Sequence, residues 1–148
     1  MSLSADQPYG EAAAAIIGER SDAVFAHARR RVLDITDIEG VHEMRVATRR
    51  LRAALEVFGP CLHPKRGARA LREVKALAAA LGERRDRDVQ LELLEQLHDE
   101  CAGAEQRAVD LLAGELRAEQ QQVNVELAEA LAHAKRTRLR RRLARLAR

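Results

Sequence analysis

Aromatic side chains are almost missing from this chain of 148 residues: there is no Trp, and Tyr9, Phe25 and Phe58 make up the whole 2%. Stacking platforms for reading single-stranded bases are therefore not to be expected. Only three Pro and eight Gly interrupt the backbone. That scarcity speaks against a turn-rich β-sandwich or a low-complexity chain. The two cysteines, Cys61 and Cys101, are too few for a disulfide framework, and their surroundings lack the spacing of a zinc site. Free thiols in a reducing compartment are expected. No apolar run approaches the roughly 20 residues that span a bilayer. Met1 to Gly10 holds neither basic residues nor an apolar core, so no signal peptide is expected and the location reads as cytoplasmic.

Ala and Leu dominate what remains. They predict an all-α protein, an up-and-down antiparallel helical bundle with a core of Leu, Ala and Val. Five main helices and a basic sixth are expected. The first runs from about Gly10 to Asp34, with Ile16, Ile17, Val24, Phe25 and Leu33 facing inward. Thr36 or Asp37 caps the second, which stops at Gly59-Pro60. Pro64 opens the third, and Gly82 closes it. A short turn, Glu83 to Asp86, leads to a fourth helix on which Val89, Leu93, Leu94 and Leu97 repeat at helical spacing. Gly103 precedes a long fifth helix from about Ala104 to Ala134. Its middle, Glu119 to Gln122, is poor in apolar residues and is expected to be exposed, bent or frayed. The boundaries are residues 1–134 for the bundle and 135–148 for a basic amphipathic C-terminal helix or tail.

Charge is strongly segregated behind a net value of +3. Residues 1–40 carry 4 basic and 7 acidic side chains, and residues 41–87 carry 12 and 5. Residues 88–134 carry 2 and 11, and residues 135–148 carry 8 and none. Two basic blocks alternate with two acidic ones, whereas a merely solubilising surface mixes the signs.

The segment from Val41 to Phe58 makes this segregation specific. Wound at about 100° per residue, it places His42, Arg45, Arg49 and Arg52 within about 80° of one another. Val41, Met44, Ala47, Leu51, Ala54, Leu55 and Phe58 form a separate apolar face. No acid is read within the ladder of cations, so an anionic partner outside the chain is expected. The third helix repeats the pattern with Lys65, Arg69, Arg72 and Lys75 on one flank. Arg50 extends the first stripe, and Arg84 and Arg85 end the second in the predicted turn. Rungs about 5.4 Å apart suit a ligand with repeated negative charge better than one small anion. Arginine offers a planar fork to phosphate oxygens and keeps its charge at all relevant pH values. His42 at the head of the ladder donates a hydrogen bond to phosphate, more strongly when protonated. The helical wheel alone says only that the ligand is a linear polyanion.

At these same residues the chain resembles a CHAD domain, the conserved-histidine α-helical domain. One signature, His-x-x-Arg-Val-x-x-Arg-Arg-Leu-Arg, is matched by His42, Arg45, Val46, Arg49, Arg50, Leu51 and Arg52. A second, Leu-Gly-x-x-Arg-Asp-x-Asp-Val, is matched by Leu81, Gly82, Arg85, Asp86, Asp88 and Val89. The resemblance implies an all-helical fold whose basic surface binds inorganic polyphosphate, in domains often found near polyphosphate granules. It implies two helical bundles for a full domain, of which this chain resembles the first. The segment Ala130 to Leu139 resembles the one that leads into the second. A homodimer that mimics the missing half is therefore expected, with Leu139, Leu143 and Leu146 as its apolar seam.

Two other functions compete with polyphosphate binding. Non-specific nucleic-acid binding would use the stripes and the basic tail as an electrostatic footprint. A metal-dependent phosphohydrolase would need carboxylates that hold metal ions beside the transferred phosphate. Glu43 lies about 100° round the helix from His42, Asp86 and Asp88 read as helix-start residues, and no phosphate-cradling Gly-rich loop is present. The expectation is a non-catalytic binder without metal or cofactor.

Overall fold

The computed structural model describes residues 6–28 and 31–146. Among them are five α-helices: α1 (Tyr9–Ala28), α2 (Ile38–Val57), α3 (Pro64–Glu100), α4 (Ala104–Arg136) and α5 (Leu139–Leu146). A short 3₁₀ turn, Gly59–Cys61, separates α2 from α3. The fold is all-α. The segment 29–30, part of the first predicted helix, and residues 1–5 and 147–148 lie outside the described residues.

Local chemistry explains most of the boundaries. The Asp37 carboxylate accepts the Gly40 N–H at 3.0 Å and so caps α2. Pro64 occupies the first turn of α3, where its missing N–H costs nothing. Gly103 turns the chain between α3 and α4 at φ +58°, a conformation that favours glycine.

Gly82 does not end a helix, and no turn follows it. α3 runs unbroken for 37 residues, so the third and fourth predicted helices are one. A glycine inside a helix costs only about 1 kcal/mol. Against that stand the burial of Leu81 and two ion pairs across the expected break, Glu83–Arg87 and Arg84–Asp88. The helix phase is therefore carried through. It turns Leu91 inward and leaves Val89, Leu93 and Leu97 exposed, with only Leu94 half-buried.

α2 packs between α1 and α3, α3 packs along α4, and α5 lies across α1, α3 and α4. One core joins them: Ile17 and Val24 of α1, Met44 and Leu51 of α2, Val74 and Leu77 of α3, Leu127 of α4, and Leu139 and Leu143 of α5. Phe25 packs against this core half-buried, while Leu33 is exposed. The predicted apolar seam of the tail is thus already covered by its own chain. Leu139 and Leu143 are fully buried, and Leu146 packs at the edge of the same core. A dimer built on that seam has no surface to use.

Beyond Leu81, α3 extends about 28 Å past the main core at 1.5 Å per residue. With the first half of α4 it makes a two-helix arm. A buried polar joint ties the arm to the body. Arg84 Nε donates to Asp88 Oδ1 at 3.0 Å, and Arg84 Nη1 donates to Asn124 Oδ1 at 2.6 Å. Gln120 donates to the same Asp88 oxygen at 2.6 Å, and Asn124 donates to the Leu33 carbonyl at 2.9 Å. The polar middle of the long helix is continuous, and Glu119, Gln121 and Gln122 are exposed there as expected. Gln120 is buried there because it supplies a hydrogen bond that a leucine would not.

Candidate functional site

The cations of α2 follow from the same phase that builds the core. Val41, Met44, Thr48, Leu51 and Leu55 are buried, so the opposite side of the helix faces solvent. His42 and Arg45 are half-buried there, and Arg49, Arg50 and Arg52 are exposed. These residues form a crest along α2. Among the described residues, the side chains of His42, Arg45, Arg49 and Arg50 have no hydrogen-bond or ion-pair partner.

The flank of α3 lies beside the crest but is partly neutralised. Lys65 and Arg72 are exposed and unpaired among the described residues. Arg69 lies 3.5 Å from Glu73. Lys75 reaches across to α2 and meets Glu56 at 3.0 Å, and Arg52 lies 3.7 Å from that same carboxylate. The expectation that the ladder holds no acid is therefore corrected at one point. Glu56 stands four residues after Arg52 and bridges the two stripes. The two stripes still carry eight Arg and Lys side chains, four on each helix, against Glu56 and Glu73, while Glu39 and Glu43 line the cleft beside His42 and Arg50.

The other predicted members do not join it. Arg84 is fully buried in the joint and paired with Asp88, so no external anion reaches it. Arg85 is mostly buried, 3.9 Å from Glu92. Both residues were expected in a turn that α3 does not have. Arginines on a continuous helix take the phase of that helix, and here the phase points Arg84 at α4.

Three further cations, one on α1 and two on the basic tail, are placed by the packing of α1 and α5. Arg20 of α1 lines a cleft of about 330 Å³ together with His27, His42, Glu43 and Arg50. In it His27 Nδ1 stands 3.3 Å from Glu43 Oε2, so Glu43 is turned toward α1. Only the register of α1 on α2 brings Arg20 there, and no local pattern encodes that register. Arg142 of α5 donates to Glu73, as does the Thr137 hydroxyl at 2.7 Å. Arg140 reaches Asp22 of α1 at 3.1 Å. The basic tail thus spends part of its charge on holding α5 to the bundle.

Two carboxyl groups are shifted. Burial pushes the Glu73 carboxyl up, but the hydrogen bonds from Arg142 and Thr137 and the charges of Arg142 and Arg69 outweigh it and hold the group below its usual range. The Thr36 hydroxyl and N–H lower Asp34 in the same sense. Among the described residues no three His, Cys, Asp or Glu side chains converge as metal ligands, and no helix is long and apolar enough to cross a membrane.

Comparison with known proteins gives one match. Residues 15–148 match the CHAD domain family. No curated protein and no solved structure matches the chain.

Proposed function

The chain belongs to the CHAD domain family, and from that premise we propose that it binds inorganic polyphosphate on the crest of α2 and the adjoining flank of α3, without catalysing a reaction. The observation that carries this reading is the row of unpaired cations at His42, Arg45, Arg49 and Arg50. Guanidinium groups set one helical turn apart repel one another in the free protein. A phosphate polymer relieves that repulsion and releases its own counterions on binding. Lys65 and Arg72 widen the strip, and Arg20 shares a cleft with His42 but lies 3.6 Å from Glu19. Arg69, Arg52 and Lys75 contribute less, because Glu73 and Glu56 already hold them. The proposed setting is the cytoplasm, near stored polyphosphate.

Nucleic acid is the poorer fit. Tyr9 packs on Phe58 at a ring separation of 5.4 Å and Phe25 is half-buried, so few rings are left to stack the bases of a single strand. Catalysis is the poorer fit as well, since Glu43, the carboxylate nearest His42 in sequence, is engaged with His27.

The test is a titration of long-chain polyphosphate at several salt concentrations with Arg45→Ala combined with Arg49→Ala. Affinity should fall at least about tenfold, from the loss of two charge-assisted contacts. The slope of log affinity against log salt should become shallower by roughly two, by analogy with phosphate contacts in nucleic-acid complexes. Thermal stability should stay unchanged. Undiminished affinity would remove the crest as the site. Competition by duplex DNA of matched charge should be weak; equal competition would favour the nucleic-acid reading.

A further inference from the structure

A wide groove lies away from the crest. It holds about 940 Å³ between the end of α1, the second half of α4 and α5. Phe25, Leu77, Leu131 and several alanines make its floor. Lys135, Arg138, Arg140 and Arg141 make its rim, Arg140 being held by Asp22 at 3.1 Å, and no acidic side chain lines it among the described residues. Its occupant should therefore be apolar on one side and negatively charged around that side.

The same chain presents such a surface on its arm. Val89, Leu93 and Leu97 stand four residues apart on α3 and line up along one face. They are 45%, 63% and 44% exposed. Asp86 and Glu100 continue that face at its two ends, and Glu92 lies at its edge, 3.9 Å from Arg85. The stripe points away from the buried Leu91, which lies half a turn round the helix, and α4 packs along α3. The three side chains form a continuous apolar strip rather than scattered single residues, which fits it to an apolar floor. Its acidic setting matches the basic rim, and opposite potentials favour that pairing over arm against arm or groove against groove.

We infer that two copies of this chain associate by exchange: the acidic arm of each lies in the basic-rimmed groove of the other. Exchange in both directions between the same two copies makes two equal contacts related by a two-fold axis. None of the crest residues lines the groove, so the dimer presents two open cationic strips. A polymer long enough to touch both gains from their tethering.

Complementation tests the exchange directly, on the full chain. Wild type should sediment as a dimer at about 10 µM in low salt and dissociate as salt rises. Leu93→Glu spoils the arm alone, and Lys135→Glu with Arg141→Glu spoils the groove alone. All three positions are exposed, and circular dichroism checks that the helices persist. Each variant alone should raise the dimer dissociation constant at least about tenfold. Mixed together, they should recover dimers through the one arm and one groove left intact. A wild type that stays monomeric at about 100 µM overturns the inference and leaves the groove to some other acidic amphipathic partner. So does a dimer indifferent to Leu93→Glu, or a mixture that stays monomeric, since both place the interface elsewhere.

Discussion

The crest of α2 and the joint at the base of the arm are both built around arginines inside helices, yet their surroundings are opposite. Four residues after Arg45 comes Arg49, another cation, on the side away from the core. Four residues after Arg84 comes Asp88, on the side that faces α4. Arg84 is wholly buried, and its charge is spent on Asp88 and Asn124. Arg45 is half in water and spends its charge on no described side chain. The comparison teaches that a helix position contributes an arginine to a ligand or to the fold according to two things: its phase, and the sign of its neighbour one turn on.

The sharpest way to break that contrast is Arg84→Ala. It strands the Asp88 carboxylate in the joint, where removing one partner of a buried pair typically costs about 3–5 kcal/mol. The melting temperature should drop by on the order of 10 °C in calorimetry. Polyphosphate affinity of the protein that remains folded should hardly change, since Arg84 is not on the strip. Replacing both partners, Arg84→Met with Asp88→Leu, should cost less than the single change, because no lone charge is left behind. A single variant as stable as wild type would show that the joint contributes nothing to the fold.

The crest was legible in the sequence because everything that fixes α2 is local. Asp37 caps it, Gly59-Pro60 stops it, and its apolar and basic residues keep one phase for five turns. Pro64 and Gly103 were legible for the same reason. The joint was not. Gly82 carries the usual sign of a helix end, and the ion pairs that override it become visible only once the helix is already assumed. With α3 cut at Gly82, Arg84 and Arg85 fell into an imagined turn and looked like two more surface cations. Gln120 looked like part of a weak, wet stretch, although its partner Asp88 lies 32 residues earlier. The leucines of α5 looked unclaimed, because nothing in their own segment says that Ile17 and Leu77 wait beneath them. What was lost in each case is the register between helices, which long-range packing sets and short-range pattern does not record.

Glu73 gives an intermediate case between crest and joint. Its carboxylate is 13% exposed and holds Arg142, Thr137 and, more loosely, Arg69. Because its folded-state pKa is depressed, its contribution to stability is full above the unfolded value near 4.5 and is lost as pH falls through the lower folded value. Glu73→Gln should therefore destabilise the protein near neutrality by about 1–2 kcal/mol, the worth of its charge-assisted hydrogen bonds. That deficit should shrink as melts are repeated at progressively lower pH, below about 4.5, where the wild-type carboxyl itself becomes protonated. A deficit that stays constant across that range would mean that the charge of Glu73 is not what Arg142 and Thr137 rely on.

Glu56 supplies the smallest effect and the finest discrimination, because it puts a carboxylate on the crest itself. It is the one acid that touches cations of both stripes, at 3.0 Å from Lys75 and 3.7 Å from Arg52. A phosphate arriving between α2 and α3 must compete with it for both. Glu56 and its partners are 40–51% exposed, so water and salt screen these pairs, and exposed pairs of this kind are worth at most about 1 kcal/mol. Glu56→Gln frees Lys75 and Arg52 without changing the shape of the side chain. Stability should move by less than about 0.5 kcal/mol, as for other exposed substitutions. Affinity for polyphosphate should rise about two- to fivefold at low salt, the equivalent of roughly 0.4–1 kcal/mol. The gain should fade as salt screens both the pair and the ligand. If affinity falls instead, Glu56 is positioning Lys75 and Arg52 for the ligand, and the flank of α3 depends on it as the joint depends on Asp88.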